Sequence, residues 1–284
     1  MKNEIKTPVA IAVNQLHEFE GHPFKVLEND EMNSLIESIH DCGVLSPLIV
    51  RAKDNMPNEY EIISGHRRFH AAVKAGLETV PAFIYVCTRE EAVIMLVDSN
   101  LHREHILPSE KAFAYKMKYD AMKHQGALSQ NETKLRTDEA MGANTGESRA
   151  TVQRYIRLTN LIPEFLDLMD EGKMAFSVGV ELSYLDDDMQ YAVLEQCEEH
   201  DCTPSYSQAW QMHSAYRDYN LSVYDISQIM SEEKANQREK ISLKMEDIRK
   251  YFPSSYTPKD ITEKIIQLLE RDYERKQKSR NDAR

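Results

Sequence analysis

The chain has 284 residues, 29% of them charged, with only nine glycines and ten prolines. That size suits two or three small domains rather than one core, and the low Gly and Pro content excludes a low-complexity or collagen-like chain. The 47 acids against 35 bases give a net charge of −12, which weakens a nucleic-acid reading without excluding it, because salt limits the reach of charge to about 8–10 Å and local patches decide the contact.

No apolar run approaches the roughly 18 residues of a membrane span, and Met1 to Lys6 lack the apolar core of a signal peptide. Four scattered cysteines fit a reducing cytoplasm. Cys197, His200 and Cys202 do not match a recurrent zinc spacing.

From the N-terminus, Asn29 or Asp30 is placed to cap a helix with Met32, Leu35, Ile36 and Ile39 at helical spacing, stopped by Gly43. Val44 to Arg51 reads as a strand, Met56-Pro57-Asn58 as a turn, and Tyr60 to Ser64 as the next strand. Gly65 then opens a helix from Arg67 to Ala75, closed by Gly76, and a strand follows from Val80 to Val86. Thr88-Arg89-Glu90-Glu91 is a capping box starting a helix to about Asp98. The unit has neither GxGxxG nor GxxxxGK[ST], which disfavours a dinucleotide fold or a P-loop ATPase.

Two runs in this part bear chemistry. Ser64-Gly65-His66-Arg67-Arg68-Phe69 joins a strand to a helix start, where glycine permits close backbone approach and free N–H groups favour an anion. Two adjacent arginines add forks suited to phosphate, and Ser99-Asn100-Leu101-His102-Arg103-Glu104 supplies a second polar wall.

With these runs in this order, Leu16 to Glu110 resembles the N-terminal domain of ParB/Spo0J/Noc-type chromosome and plasmid partition proteins. Gly65-His66-Arg67-Arg68 stands where that family has "GERR", and Asn100 to Pro108 matches its "EN-L-x-RE-x-L-x-P" box. Pro47 to Arg51 resembles its "P-L-x-V-R" strand. The resemblance implies a CTP and Mg²⁺ pocket built by Gly65, His66, Arg67, Arg68, Asn100, Arg103 and Glu104, with Asn100 toward the metal. His66 and Ser99 replace two family carboxylates, and oxygen-loving Mg²⁺ suits imidazole or hydroxyl less well. Nucleotide binding with slow or lost hydrolysis, at most a weak CTPase, is therefore expected. Sulfiredoxin shares this α/β unit but carries "GCHR"; no cysteine stands beside Gly65, so its redox chemistry is not expected.

Pro108-Ser109-Glu110 begins a helix to about Gln125, with Ala112, Tyr115, Tyr119 and Met122 on one face. A polar linker follows, then a short helix from Leu135 to Gly142, a turn at Asn144 to Glu147, and a helix capped by Ser148 running to Leu158. This reads as a helix-turn-helix with Thr145, Ser148, Arg149, Thr151, Gln153, Arg154 and Arg157 toward double-stranded DNA. Arg and Gln read base edges, whereas Ser and Thr mostly hold phosphates. Arg157 to Lys173 resembles the family's continuation, with Leu161, Ile162, Phe165, Leu166 and Met169 as core.

Val178 to about Tyr219 reads as helical, with acidic Asp186 to Asp188 at a helix start and Trp210 as core. Ser231 to Glu246 is charged and helix-prone. A last helix from Thr257 or Pro258 puts Ile261, Ile265, Leu268 and Leu269 on one face, a candidate dimerisation stripe, before a basic and unstructured tail from Arg275.

The fold expectation is α+β and multidomain: a small α/β ParB/sulfiredoxin-like domain over 1–107, an all-α helix-turn-helix domain over 108–225, and a helical segment over 226–284. The functional expectation is a homodimeric, CTP-gated clamp loading at a specific DNA site in chromosome or plasmid segregation, cytoplasmic and nucleoid-associated, with a ParA-type ATPase as partner. One alternative is a sequence-specific regulator of a mobile element that has lost nucleotide turnover. The other is a ParB-like nuclease, disfavoured because no Asp, Glu and His cluster resembles a two-metal site.

Overall fold

Adjacent Ile62 and Ile63 in strand β4 (Tyr60–Ser64) are both fully buried, so the sheet carries apolar cover on both faces. The structure, a computed structural model, describes residues 7–101, 103, 105–128, 146–218, 221–232, 248–253 and 255–282. It divides into two units, Met1–Glu232 and Glu233–Arg284.

In the first unit a five-stranded sheet runs in the order β1-β5-β3-β4-β2. β1 (Val9–Ala12) pairs antiparallel with β5 (Thr79–Tyr85), which lies parallel to β3 (Leu48–Ala52). β3 pairs antiparallel with β4, and β2 (Leu16–His17) lies parallel to β4. Ile62 packs with Met32 and Ile39 of α1 (Asp30–Cys42) and with Ala71 and Ala72 of α2 (His66–Lys74). Ile63 packs on the other side with Phe19, Phe24 and the apolar face of α3 (Arg89–Asn100). Arg51 and Glu61, opposite each other across β3 and β4, form a buried ion pair at 2.8 Å, with Asp54 also on the guanidinium at 2.8 Å.

The expected start signals act as read. Asn29 Oδ1 accepts the Met32 N–H at 3.0 Å, and Thr88 with Glu91 closes the capping box of α3. The expected strand from Val44 begins only at Leu48, because Val44 is buried as part of the loop that reaches Pro47.

α4 (Pro108–Leu128) belongs to both cores of this unit. Ala114 packs under the sheet helices, while Ala112 joins the helical core downstream. That core gathers Leu158, Leu161, Ile162, Phe165, Leu166 and Met169, as their spacing predicts. It is built by α5 (Arg149–Arg157), α6 (Pro163–Asp170), α7 (Phe176–Leu182), α8 (Asp187–Glu199), α9 (Tyr206–Arg217) and α10 (Val223–Ser231). Fully buried Gln190 staples it: its amide donates to the carbonyls of Asn160 and Leu185 at 2.9 Å, and its oxygen accepts from the Ile162 N–H at 2.9 Å.

The stretch expected to be helical from Val178 holds three helices as far as Arg217, broken before the Asp186 cap and again before the Ser205 capping box. Trp210 is 53% exposed rather than core, because α9 buries the face that carries Ala209 and Met212. The expected helix from Leu135 to Gly142 and most of the stretch from Ser231 to Glu246 lie outside the described residues.

In the second unit, α11 (Pro258–Asp282) starts at Thr257, whose hydroxyl accepts the Asp260 N–H at 3.3 Å. Ile261 is buried, whereas Leu268 and Leu269 of the apolar stripe are exposed. Helix continues through the basic segment from Arg275 that was expected to be unstructured. No helix among the described residues is long and apolar enough to cross a membrane.

Candidate nucleotide site and nucleic-acid interface

Gly65 turns β4 into α2 with φ 108° and ψ 20°, a left-handed conformation that L side chains rarely adopt. A Cβ there would lie 3.0 Å from Leu48 Cγ and 3.2 Å from Arg68 Nη2, so both backbone and space select glycine. With no side chain capping α2, its first-turn N–H groups lack intrahelical acceptors and form an anion cradle.

The arginines around this turn have distinct settings. Arg68 donates through Nη1 to the Pro47 carbonyl at 2.8 Å and to that of Ser46, tying the turn to the start of β3. Arg67 is paired with Glu31 of α1 at 3.2 Å and is partly exposed. Arg103 lies over the Phe24 ring, 5.6 Å from its centroid.

His66, the first residue of α2, is only 6% exposed, and its ring packs on that of His22 with centroids 3.8 Å apart. Burial, reinforced by neighbouring His22 and Arg103, holds the His66 imidazole down at about 3. Burial holds His22 down at about 4. Both rings are therefore neutral at neutral pH, and both Nε2 atoms are buried without a hydrogen-bond partner.

The second wall lies at the end of α3. Asn100 is buried and donates to the Leu96 carbonyl at 2.8 Å, leaving its side-chain oxygen as the atom a ligand would meet. Ser99 donates its hydroxyl to the same carbonyl at 2.9 Å. Glu104 lies outside the described residues.

The described side chains alone do not make a Mg²⁺ site. That ion wants near-octahedral oxygen donors, usually including a carboxylate. Here the described donors are one amide oxygen, a committed hydroxyl and two neutral imidazoles, with arginines close by. Among the described residues no group of three or more His, Cys, Asp or Glu could hold a metal ion. The cradle and arginines do fit phosphate.

The second candidate surface is α5. Ser148 caps it by accepting the Thr151 N–H at 3.1 Å, and its hydroxyl also meets that of Thr151 at 2.9 Å. Just before this cap, Glu147 takes the Tyr115 hydroxyl at 2.9 Å and the Lys111 ammonium, fixing the helix start to α4. Val152 is buried, while Arg149, Gln153 and Arg154 are exposed. Thr145 lies outside the described residues.

Beside this face lies a cavity of about 360 Å³ lined by Lys116, Gln153, Arg154, Arg157, Thr159 and Tyr184, among others. Arg157 sits 3.4 Å over the Tyr184 ring and donates to the Ser183 carbonyl at 3.3 Å. Its Nε is buried without a partner. Tyr184 in turn stacks on His213 with centroids 3.9 Å apart. Lys116, Thr159 and Tyr184 were absent from the sequence-derived set, because they come from other elements and share no motif with α5.

The ParB N-terminal domain matches residues 1–101, and the ParB HTH domain matches residues 108–207. The chain belongs to the ParB family. The chromosome-partitioning protein Spo0J of Thermus thermophilus is 33% identical over 54% of this chain and 51% of its own length. A nucleoid occlusion protein of Listeria innocua is 32% identical over 49% of this chain and 44% of its own. The chain thus spans about half the length of the curated ParB relatives it matches. Among solved structures, C-terminally truncated ParB of Caulobacter crescentus complexed to the centromeric parS site covers 78% of this chain and 98% of its own, at 20% identity and a TM-score of 0.43. The same protein complexed with CTP-gamma-S covers 66% and 97%, at 24% identity and 0.32, both too low for residue-by-residue transfer.

Proposed function

We propose that this chain is a DNA-binding partition protein that loads at a specific DNA site as a CTP-gated dimeric clamp. The observation that carries the reading is the succession, within one packed unit, of the Gly65 anion cradle and the Arg- and Gln-bearing face of α5. The names of its relatives support a role in chromosome partition or nucleoid occlusion. The nucleotide phosphates sit on the first turn of α2 with Arg67, Arg68 and Arg103 around them, and Asn100, with Glu104, forms the opposite wall. Arg149, Gln153 and Arg154 read base edges, while Ser148, Thr151, Thr145 and Arg157 hold phosphates. The domains divide at 107 and 225, and the exposed Leu268 and Leu269 of α11 supply the homodimer contact. Nucleotide binding closes the dimer only as far as the closed state makes extra contacts to it. A ParA-type ATPase partner and a nucleoid location in the cytoplasm go with this role.

A second reading, a site-specific regulator of a mobile element without nucleotide turnover, is favoured by buried, neutral His66 in the phosphate motif. One experiment separates the two: a nucleoside triphosphate panel with and without a genomic fragment library, read for binding, hydrolysis and DNA cleavage. CTP binding that strengthens on one DNA sequence supports the clamp. Specific DNA binding with no nucleotide response supports the regulator, and cleavage would overturn both.

A further inference from the structure

We infer that the cavity between α4, α5 and the segment after α7 seats one backbone phosphate of duplex DNA, with Tyr184 as the positioning residue that aims Arg157 at it. This rests on the DNA-binding reading above and adds where one phosphate sits and what holds the arginine there.

Three planar groups from three parts of the chain stack in line. Arg157, in the last turn of α5, has its guanidinium carbon 3.4 Å from the centre of the Tyr184 ring, a distance that only a face-on contact allows. That ring stacks in turn on His213 of α9, with centroids 3.9 Å apart and planes 10° from parallel. Glu181 of α7 holds the far end, its carboxylate 2.7 Å from His213 Nδ1. A guanidinium lying flat on a ring keeps its five N–H donors in its own plane, and the Ser183 carbonyl accepts from one of them at 3.3 Å. The stack therefore removes in advance much of the side-chain freedom that a solvated arginine loses on binding.

The charges around the cavity select an anion. Arg154 and Arg157 have no carboxylate partner among the described residues, and Lys116 shares its charge only with Asp120 at 3.3 Å, where both are exposed. Glu181 is engaged with His213. The C-terminal end of α5 opposes an anion with about half a charge, which three cations outweigh. At about 360 Å³ the cavity has room for a phosphate with its flanking sugars. Gln153 and Arg154 border it, and this continuity with the base-reading face favours a phosphate of the duplex over a free anion.

The test is fluorescence anisotropy of the full chain on the duplex it binds most tightly, with one phosphate at a time replaced by a neutral methylphosphonate. At one position the parent should lose about tenfold in affinity while R157Q loses no more than about twofold, and R157Q should lower the salt slope by about one. Y184L should weaken binding about fivefold on preferred and scrambled duplexes alike, whereas Y184F, which keeps the ring, should retain most of the affinity. R157K keeps the charge without the flat fork and should fall to the level of Y184L, which carries the test should Y184L unfold. A scan in which parent and R157Q lose alike at every position overturns the cavity as a DNA phosphate site and leaves the DNA-binding reading standing. R157K or Y184L that folds and binds like the parent overturns the positioning role. Inorganic phosphate that binds in calorimetry and is lost in R157Q, together with such a featureless scan, marks a free-anion site and also overturns the inference. A parent that binds no duplex overturns the DNA-binding reading and this inference with it.

Discussion

Lys118 of α4 and Asp98 of α3 form an ion pair in which the lysine is only 1% exposed. A lysine so buried persists only with its partner, because an uncompensated ammonium in apolar surroundings is costly. The pair joins the helix that leads into the DNA-binding core to the last helix of the sheet domain. Lys118→Ala should destabilise the first unit by about 2–4 kcal/mol, the lower end for a broken buried pair because Asp98 keeps partial solvent contact. Lys118→Met should cost distinctly less, since its side chain fills the buried volume that alanine leaves empty. Urea denaturation of the two variants checks this, and equal stability of Lys118→Ala and the parent would contradict the packing described.

Acid should unfold the N-terminal domain earlier than its carboxylates alone require. Native His66 and His22 take protons only near pH 3 and 4, whereas in the unfolded chain both titrate near 6.5. The unfolded state therefore binds more protons below about pH 6.5, and stability falls as pH drops from there toward 4. Melting temperature measured from pH 7 to 5 should decline less steeply in the His22→Gln, His66→Gln double variant. Parallel pH profiles would show that the pair is not buried and neutral.

Gly65 is required by both conformation and space. Gly65→Ala should cost about 1–3 kcal/mol from the left-handed backbone, with Leu48 and Arg68 forced to shift. The same variant should bind CTP more weakly, because the first turn of α2 no longer lies open to a phosphate. Thermal melting and calorimetry together check this; a variant that melts and binds like the parent would exclude a close backbone approach at Gly65.

The DNA face should separate into readers and anchors. Arg149→Ala and Arg154→Ala should each lower affinity for the preferred site by about 1–3 kcal/mol and relax its sequence preference. Lys116→Ala, in the cavity beside Arg154 and Arg157, should weaken binding to all sequences alike and reduce the salt slope by about one. Fluorescence anisotropy over a salt series on specific and scrambled duplexes distinguishes the two patterns. An unchanged salt slope for Lys116→Ala would remove the cavity from the interface.

Local signals were legible where the physics is local. The Asn29, Thr88, Ser148 and Asp186 caps, the Gly65 turn and the apolar spacing of Leu161 to Met169 all follow from neighbours in sequence, and each stands as read. Long-range relationships were not legible. His22 precedes His66 by more than forty residues with no motif of its own, and only the fold stacks the rings. Tyr184 reaches Arg157 through a helix break, and Lys116 comes from the opposite side of the linker. Trp210, expected in the core, is exposed because α9 turns Ala209 and Met212 inward and leaves the tryptophan on the outer face.

The central claim, that the α5 face reads one DNA sequence, is tested most directly by selecting genomic fragments with the purified full chain and sequencing what is retained. The account predicts that fragments sharing one short sequence are enriched, and that Arg154→Ala loses the enrichment while keeping weak, salt-sensitive binding. Fragments retained in proportion to their abundance, by parent and variant alike, would contradict it.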